Sequence, residues 1–291
     1  MLRSTRDGFT WIEGLVLLGI LAVLIALFVP ATRRVREASR HHTQINNYLK
    51  QVALSVHTYH DTCKQFPPAT GSNISTNGKS FPLSILLLPY VEQNPLYQVY
   101  VSGTMVMPNR IPSYDAPLDF STSDWLRVQN FAGNVRVFTD VGIKTSFSAA
   151  VPGLTAETGT CTAILGKSFP DGTSNTILFA TRFANTGSIS SNGDINCSAY
   201  DAPLGAGNSA FFGVMPMTGQ ASAVSTDGWQ LAPTLQQVNC QFGAVAHSFG
   251  AGGLQVSLAD GSVRTISPAM SAFTWNTALQ PNDGNPPGSD W

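Results

Sequence analysis

Glu13 opens an uncharged run of eighteen residues, 14–31, and lies four residues after Phe9. A carboxylate at the centre of a membrane-length helix costs roughly 2.5–3.5 kcal/mol, and less toward an interface, so its presence here asks for a partner. A cut between Gly8 and Phe9 would create one. The new α-amine of Phe9 would carry the opposite charge, and the two groups could neutralise each other within a chain or between neighbouring chains. Such a cut, if made, would supply a reason for the carboxylate at position 13.

No other group of residues makes so specific a chemical statement. His57 and His60 share a helical face, which could suggest a metal, but a polar contact between a stem and a head accounts for them better. Asp171, Asp194 and Asp260 could offer oxygen ligands to calcium, yet they lie in no Asp-rich loop of calcium spacing. Asp171-Gly172 and Asp260-Gly261 read more simply as turns, since glycine accepts a positive φ and aspartate tolerates it. Gly205-Ala206-Gly207-Asn208-Ser209-Ala210 fits a dinucleotide fingerprint, but no clear strand precedes it and no long helix follows. A nucleophile elbow, a zinc-protease motif and a phosphate loop are all missing from the sequence. The expectation is a protein that is not an enzyme and has no cofactor or metal.

The elements that would carry these residues begin with the apolar run, which is just long enough to span a bilayer as a helix. No small-residue cleavage site follows it, as a secretory signal would require. Arg33, Arg34, Arg36 and Arg40 follow instead. Val35, Ala38, Ile45, Leu49, Val52 and Val56 then recur near helical spacing, so the helix is predicted to continue as a stem to about His60. Its length from Phe9 would be about 75 Å. Pro30 should kink or loosen it, and Phe66-Pro67-Pro68 ends it.

Beyond the stem the chain is turn-rich with short apolar runs. Val135–Phe138 and residues 162–165, 176–179 and 254–258 read as strands, and residues 84–91 as a helix meeting the stem. The Asp260-Gly261 pair predicts a hairpin between 254–259 and 262–266. Residues 186–208 read as an irregular loop and 280–291 as a loose tail.

Charge is unevenly spread. Charged residues make up 11% of the chain, and the net charge is −1; typical soluble domains carry about 25% charged residues. Residues 1–64 hold eight Lys/Arg against four Asp/Glu, and the remainder holds eight against thirteen. The basic excess flanks an apolar span, so a membrane explains it more simply than nucleic acid. Cys63, Cys161, Cys197 and Cys240 form no C-x-x-C pair; two disulfides in an oxidising compartment, in any of three pairings, or buried thiols both fit.

Gly8-Phe9-Thr10-Trp11-Ile12-Glu13, followed by the apolar helix, resembles the type IV prepilin motif G-F-T-L-I-E. Trp11 and Gly14 stand where that family commonly has leucines, and Pro30 matches a proline that many pilins carry. The resemblance implies cleavage after Gly8 by a prepilin peptidase, methylation of Phe9, and pairing of Glu13 with the N-terminus of a neighbouring subunit during filament growth. A second resemblance runs along most of the chain. It is carried by Asn46-Asn47-Tyr48-Leu49-Lys50-Gln51, His57-Thr58-Tyr59-His60-Asp61, Phe66-Pro67-Pro68, Leu88-Pro89-Tyr90-Val91-Glu92-Gln93-Asn94, Asp171-Gly172-Thr173-Ser174-Asn175-Thr176-Ile177 and Leu258-Ala259-Asp260-Gly261-Ser262-Val263-Arg264. Together these are similar to a planctomycete-type prepilin-like family of unknown function with a C-terminal H-x9-DG motif. Here twelve residues, not nine, separate His247 from Asp260. Either residues are inserted around 250–253, or His247 is not the equivalent residue.

The expected fold is α+β and pilin-like, with a long N-terminal helix packed on a mostly antiparallel β head. The expected division is a leader at 1–8, a transmembrane helix at 9–31, a stem at 32–62, an extracytoplasmic head at 63–279 and a flexible tail at 280–291. The expected function is that of a structural pilin or pseudopilin subunit in a type IV pilus-like or type II secretion-like filament. The alternative is a membrane-anchored surface module that binds glycans or other cell-surface ligands without polymerising. Expected partners are the prepilin peptidase, copies of itself, other pilin-like subunits, the assembly machinery and the membrane, with no nucleic acid. The expected place is the bacterial inner membrane, single-pass, with the head outside the cytoplasm, or a periplasmic or surface filament after processing.

Overall fold

The computed structural model describes residues 11–71, 79–104, 110–121, 128–139, 161–185, 210–213, 217–225, 228–234, 236–238 and 245–291, without the side chains of 27–39. It is a mixed α+β structure. The first element, α1 (Trp11–Cys63), is a single helix of 53 residues that runs unbroken through Pro30. The chain divides into two compact units, Met1–Thr43 and Gln44–Trp291, so the division falls inside α1.

In the first unit, the apolar side chains from Trp11 to Ile25 are largely exposed, and Trp11 is 86% exposed. Among the described residues no helix is long and apolar enough to cross a membrane. The apolar run read from the sequence continues into residues 27–31, whose side chains lie outside the description.

In the second unit, α1 supplies one wall of the core. Ile45, Leu49, Val52, Val56 and Tyr59 are all buried. Their spacing of four, three, four and three residues makes one apolar stripe, which is why this part of the helix packs. Burial of each such side chain contributes about 1.5–3 kcal/mol. The stripe meets α2 (Leu83–Leu87) and the 3-10 turn Leu88–Val91, as the apolar composition of 84–91 predicts.

A five-stranded sheet follows, built from β3 (Phe131–Asn134), β4 (Ile177–Thr181), β5 (Phe211–Phe212), β8 (Leu254–Leu258) and β9 (Val263–Ile266) in the order β5-β3-β4-β8-β9. All pairs are antiparallel except β3 with β5. Two small ribbons accompany it: antiparallel β1 (Thr70–Gly71) with β2 (Phe81–Pro82), and parallel β6 (Gly228–Gln230) with β7 (Val245–His247). Alternate residues of the large sheet enter different cores. Phe131, Phe179 and Phe211 join the stem-side cluster, whereas Ala132, Ala180 and Phe212 join a cluster with Trp229, Trp275 and Leu279. The second cluster is closed by a C-terminal helix, α5 (Ala272–Leu279), which Ser271 caps by accepting from the Thr274 amide at 3.3 Å. Both faces are therefore covered, and every residue of β8 is buried. Gln255, on the stem side of β8, donates to Asn46 Oδ1 of α1 at 2.6 Å.

Four readings change. Val135–Phe138 is a short helix, α4, because Asn134 caps it by accepting from the Arg136 amide at 3.0 Å. Residues 162–165 form no strand. The Ile164 carbonyl accepts from Lys167 N and Ser168 N, and Gly166 turns the chain at φ +82°. Residues 280–291, read from composition as loose, make specific contacts. Asp171 Oδ1 accepts from Gly284 N at 3.0 Å, Asp290 accepts from Ser271 N at 2.6 Å and from the Thr274 hydroxyl, and the Arg264 guanidinium lies 4.6 Å over the Trp291 ring. Those bonds, the Thr274 hydroxyl first, hold the Asp290 carboxyl down at about 2. The pairing of all four cysteines into two disulfides is also set aside, since Cys63 and Cys161 are thiols. Cys197 and Cys240, like the loop at 186–208, lie outside the described residues.

Candidate functional site

Gly8 and Phe9 lie outside the described residues. Glu13 lies in the first turn of α1, where the positive end of the helix dipole favours a carboxylate. It is exposed, in the company of exposed Trp11, Ile12, Leu15 and Val16.

Asp171, Gly172, Asp260 and Gly261 converge at one end of the sheet. The β8–β9 hairpin turns through Leu258–Gly261, closed by Gly261 N donating to Leu258 O at 2.9 Å. Only Gly261 takes a positive φ, +82°; Asp260 instead accepts from Ser262 N at 2.8 Å through Oδ1. This is a type I turn with a glycine bulge rather than a two-residue turn with both residues left-handed. The tip is tied to the loop carrying Asp171-Gly172: Ala259 N donates to Thr176 O and Asp260 N to Thr173 O. Gly172, at φ +106°, starts a turn that Asn175 stitches by donating Nδ2 to Asp171 O at 2.8 Å.

The stem motif completes this cluster. A Cβ on Gly261 would lie 3.5 Å from His57 Nε2, so the imidazole packs directly beneath the hairpin tip. His60 Nε2 accepts from Leu165 N at 3.2 Å, and its ring meets Phe66 edge-on. Both histidines thus serve the packing of α1 within the second unit.

Burial, then the neighbouring His60, pushes the His57 pKa down, while Asp61, Asp260 and the Ala259 backbone oppose this. The unfolded chain therefore takes up this proton first. Stability is expected to fall as pH drops through about 6.5 and to level off below the folded-state value. Unfolding midpoints measured at pH 7.5, 6.5 and 5.5 should show a shallower decline for His57→Gln than for the wild type. An unchanged slope would contradict the assignment.

His247 belongs elsewhere. It is fully buried on β7, and its Nδ1 accepts from Phe183 N at 3.1 Å, which leaves the proton of the neutral ring on Nε2. Thr181 Oγ1 donates to its carbonyl at 2.8 Å. His247 thus binds the far end of β4, whereas Asp260 binds the near end at Thr173–Thr176. Seven residue steps of extended chain separate those ends by about 20 Å. The histidine and the Asp-Gly pair therefore form two structural locks on one strand.

Sequence reading missed the most heavily buried polar groups. Arg136 and Arg182 are both fully buried and clasp β5, with Arg136 Nε donating to Gly213 O at 3.0 Å and Arg182 NH1 to Phe211 O at 2.7 Å. Burial pushes each guanidinium down to about 10. Asp119, whose pKa burial raises, accepts from Asn130 Nδ2 at 2.5 Å, from Ala184 N at 2.8 Å and from Ser121 N at 2.7 Å. The one signal available beforehand was Asn134, a capping residue just ahead of an apolar segment.

Among the described residues no group of three or more His, Cys, Asp or Glu side chains could hold a metal ion. Asp171 and Asp260 each spend an oxygen on a backbone amide. Asp194 lies outside the described residues. The motif cluster is a joint between the helix α1, the loop at residues 171–176 and the hairpin tip, bonded chiefly through backbone groups, with His57 Nε2 and Asp171 Oδ2 buried without a hydrogen-bond partner.

The architecture is thus an α+β unit built against the last part of a long N-terminal helix. Residues 33–103 match the model of a family described as a protein of unknown function, DUF1559. That stretch takes in the stem-side half of α1, α2, the Leu88–Val91 turn and the nine-residue helix α3 (Asn94–Ser102). No curated protein matches the chain, and no solved structure does.

Proposed function

We propose that this chain is a pilin-like filament subunit. The apolar start of α1 inserts in the bacterial inner membrane, with the head outside the cytoplasm. A prepilin peptidase removes residues 1–8, and the subunit then leaves the bilayer for a filament of type IV pilus or type II secretion character. The observation that carries this reading is the contrast along α1. Ile45, Leu49, Val52, Val56 and Tyr59 are buried, whereas the large apolar side chains from Trp11 to Ile25 are about half exposed or more among the described residues. A surface of that kind is covered by lipid or by partner helices. Both covers serve in turn here, with Glu13 positioned to meet the new Phe9 amine once the helix leaves the bilayer.

Two measurements test it. Intact mass of the protein from a host with a prepilin peptidase should show loss of residues 1–8 and one added methyl group on Phe9. Glu13→Ala should be processed normally but fall about tenfold or more in sheared filaments, the effect of losing one ordinary ion pair. Wild-type levels of Glu13→Ala in filaments would sink the assembly role.

A further inference from the structure

The face of α1 that the core does not use borders a cleft of about 200 Å³. Gln51, Leu54 and Thr58 line one side, and Tyr90, Val91 and Glu92 the other. Leu54 is 61% exposed there, an apolar side chain on the open face of the helix. Glu92 is exposed too, and its backbone is left-handed at φ +65°. Glycine takes that conformation without strain, and a side chain held there despite the strain points toward use. The cleft therefore combines apolar contacts, Leu54 the most exposed of them, with one carboxylate.

The matching chemistry lies within the same sequence. Residues 33–40 read Arg-Arg-Val-Arg-Glu-Ala-Ser-Arg, four cations around two small apolar residues. The charge asymmetry of the chain has the same sense, basic over residues 1–64 and acidic beyond. We propose that the cleft receives residues 33–40 of a second copy of this chain. In that arrangement Glu92 pairs with an arginine and Leu54 covers Val35 or Ala38. The two surfaces differ, so each copy offers both, and the contact propagates along an assembly instead of closing into a pair. The inference rests on the reading of the chain as a filament subunit and assigns that subunit a lateral contact.

The test uses the full chain in a host that processes it. Glu92→Lys should lose residues 1–8 normally and yield about tenfold less sheared filament. Adding Arg36→Glu and Arg40→Glu should restore the yield by returning opposite charges to the contact. Glu92→Gly should lower the yield similarly while the melting temperature of the protein stays level or rises, because the backbone strain is relieved; this separates a lost contact from a lost fold. Normal filaments from both Glu92 variants would overturn the cleft contact and leave the filament reading standing. Filaments lost in Glu92→Lys and not recovered by the reversed arginines would assign the cleft to a different protein, and would overturn it equally. A wild-type chain that keeps residues 1–8 and makes no filament would overturn the reading beneath.

Discussion

Gly253→Ala is expected to unfold the β8–β9 edge and to destabilise the second unit by about 3–5 kcal/mol, a large share of an ordinary domain's total stability. Gly253 enters β8 at φ +117°, and a Cβ there would lie 2.1 Å from the carbonyl oxygen of Ile266. That oxygen is backbone, and Ile266 is the register partner of Leu254, so no side chain can swing aside to make room. Relief would require β9 to separate from β8, opening the layer that holds Leu254, Ile266 and Trp275. The same turn contains two internal controls. Nothing lies within 4 Å of a Cβ on Gly250 or Gly252, and neither has a positive φ. Alanine at those positions should fall within about 0.5 kcal/mol of wild type. Denaturant unfolding followed by tryptophan fluorescence would compare all three, and equal midpoints across the set would refute the account.

What the sequence could reveal follows the range of the interactions involved. The stripe at Ile45, Leu49, Val52 and Val56 was legible because its period is local, and so was the hairpin around Asp260-Gly261. Residues 84–91 were legible for the same reason. Val135–Phe138 was not. Its alternating Val-Arg-Val-Phe pattern reads as a strand; Asn134 overrides it by capping the helix at the Arg136 amide, and is itself held in place by donating Nδ2 to carbonyls 43 and 145 positions away, which the pattern does not show. Arg136 and Arg182 were invisible because nothing in the sequence tells a buried guanidinium from a surface one; only the carbonyls of Phe211 and Gly213 do so. The residues around 280–291 look loose by composition, yet their anchors, Asp171, Ser271 and Arg264, come from three separate segments. His57 was readable as a contact residue on α1, but its partner, the hairpin tip, was not.

Asn134→Ala should cost about 3–5 kcal/mol, several times the effect of an average side-chain hydrogen bond. Asn134 is fully buried. Its Nδ2 donates to Ile177 O at 2.8 Å and to Leu279 O at 2.9 Å, and its Oδ1 accepts from Arg136 N at 3.0 Å. One side chain therefore joins the start of β4, the end of α5 and the cap of α4. Alanine leaves two carbonyls and an amide facing a space from which water is excluded, and each orphaned group costs about 1–3 kcal/mol. Asn134→Asp separates the hydrogen-bond account from simple loss of volume. It preserves the shape and the acceptor for Arg136 N, but turns the donor atom into an oxygen facing two carbonyl oxygens. It should be at least as damaging as alanine near neutral pH, where burial of a carboxylate adds to the lost donors. If Asn134→Asp instead retained wild-type stability, the two donated bonds would not be what holds β4 and α5 together.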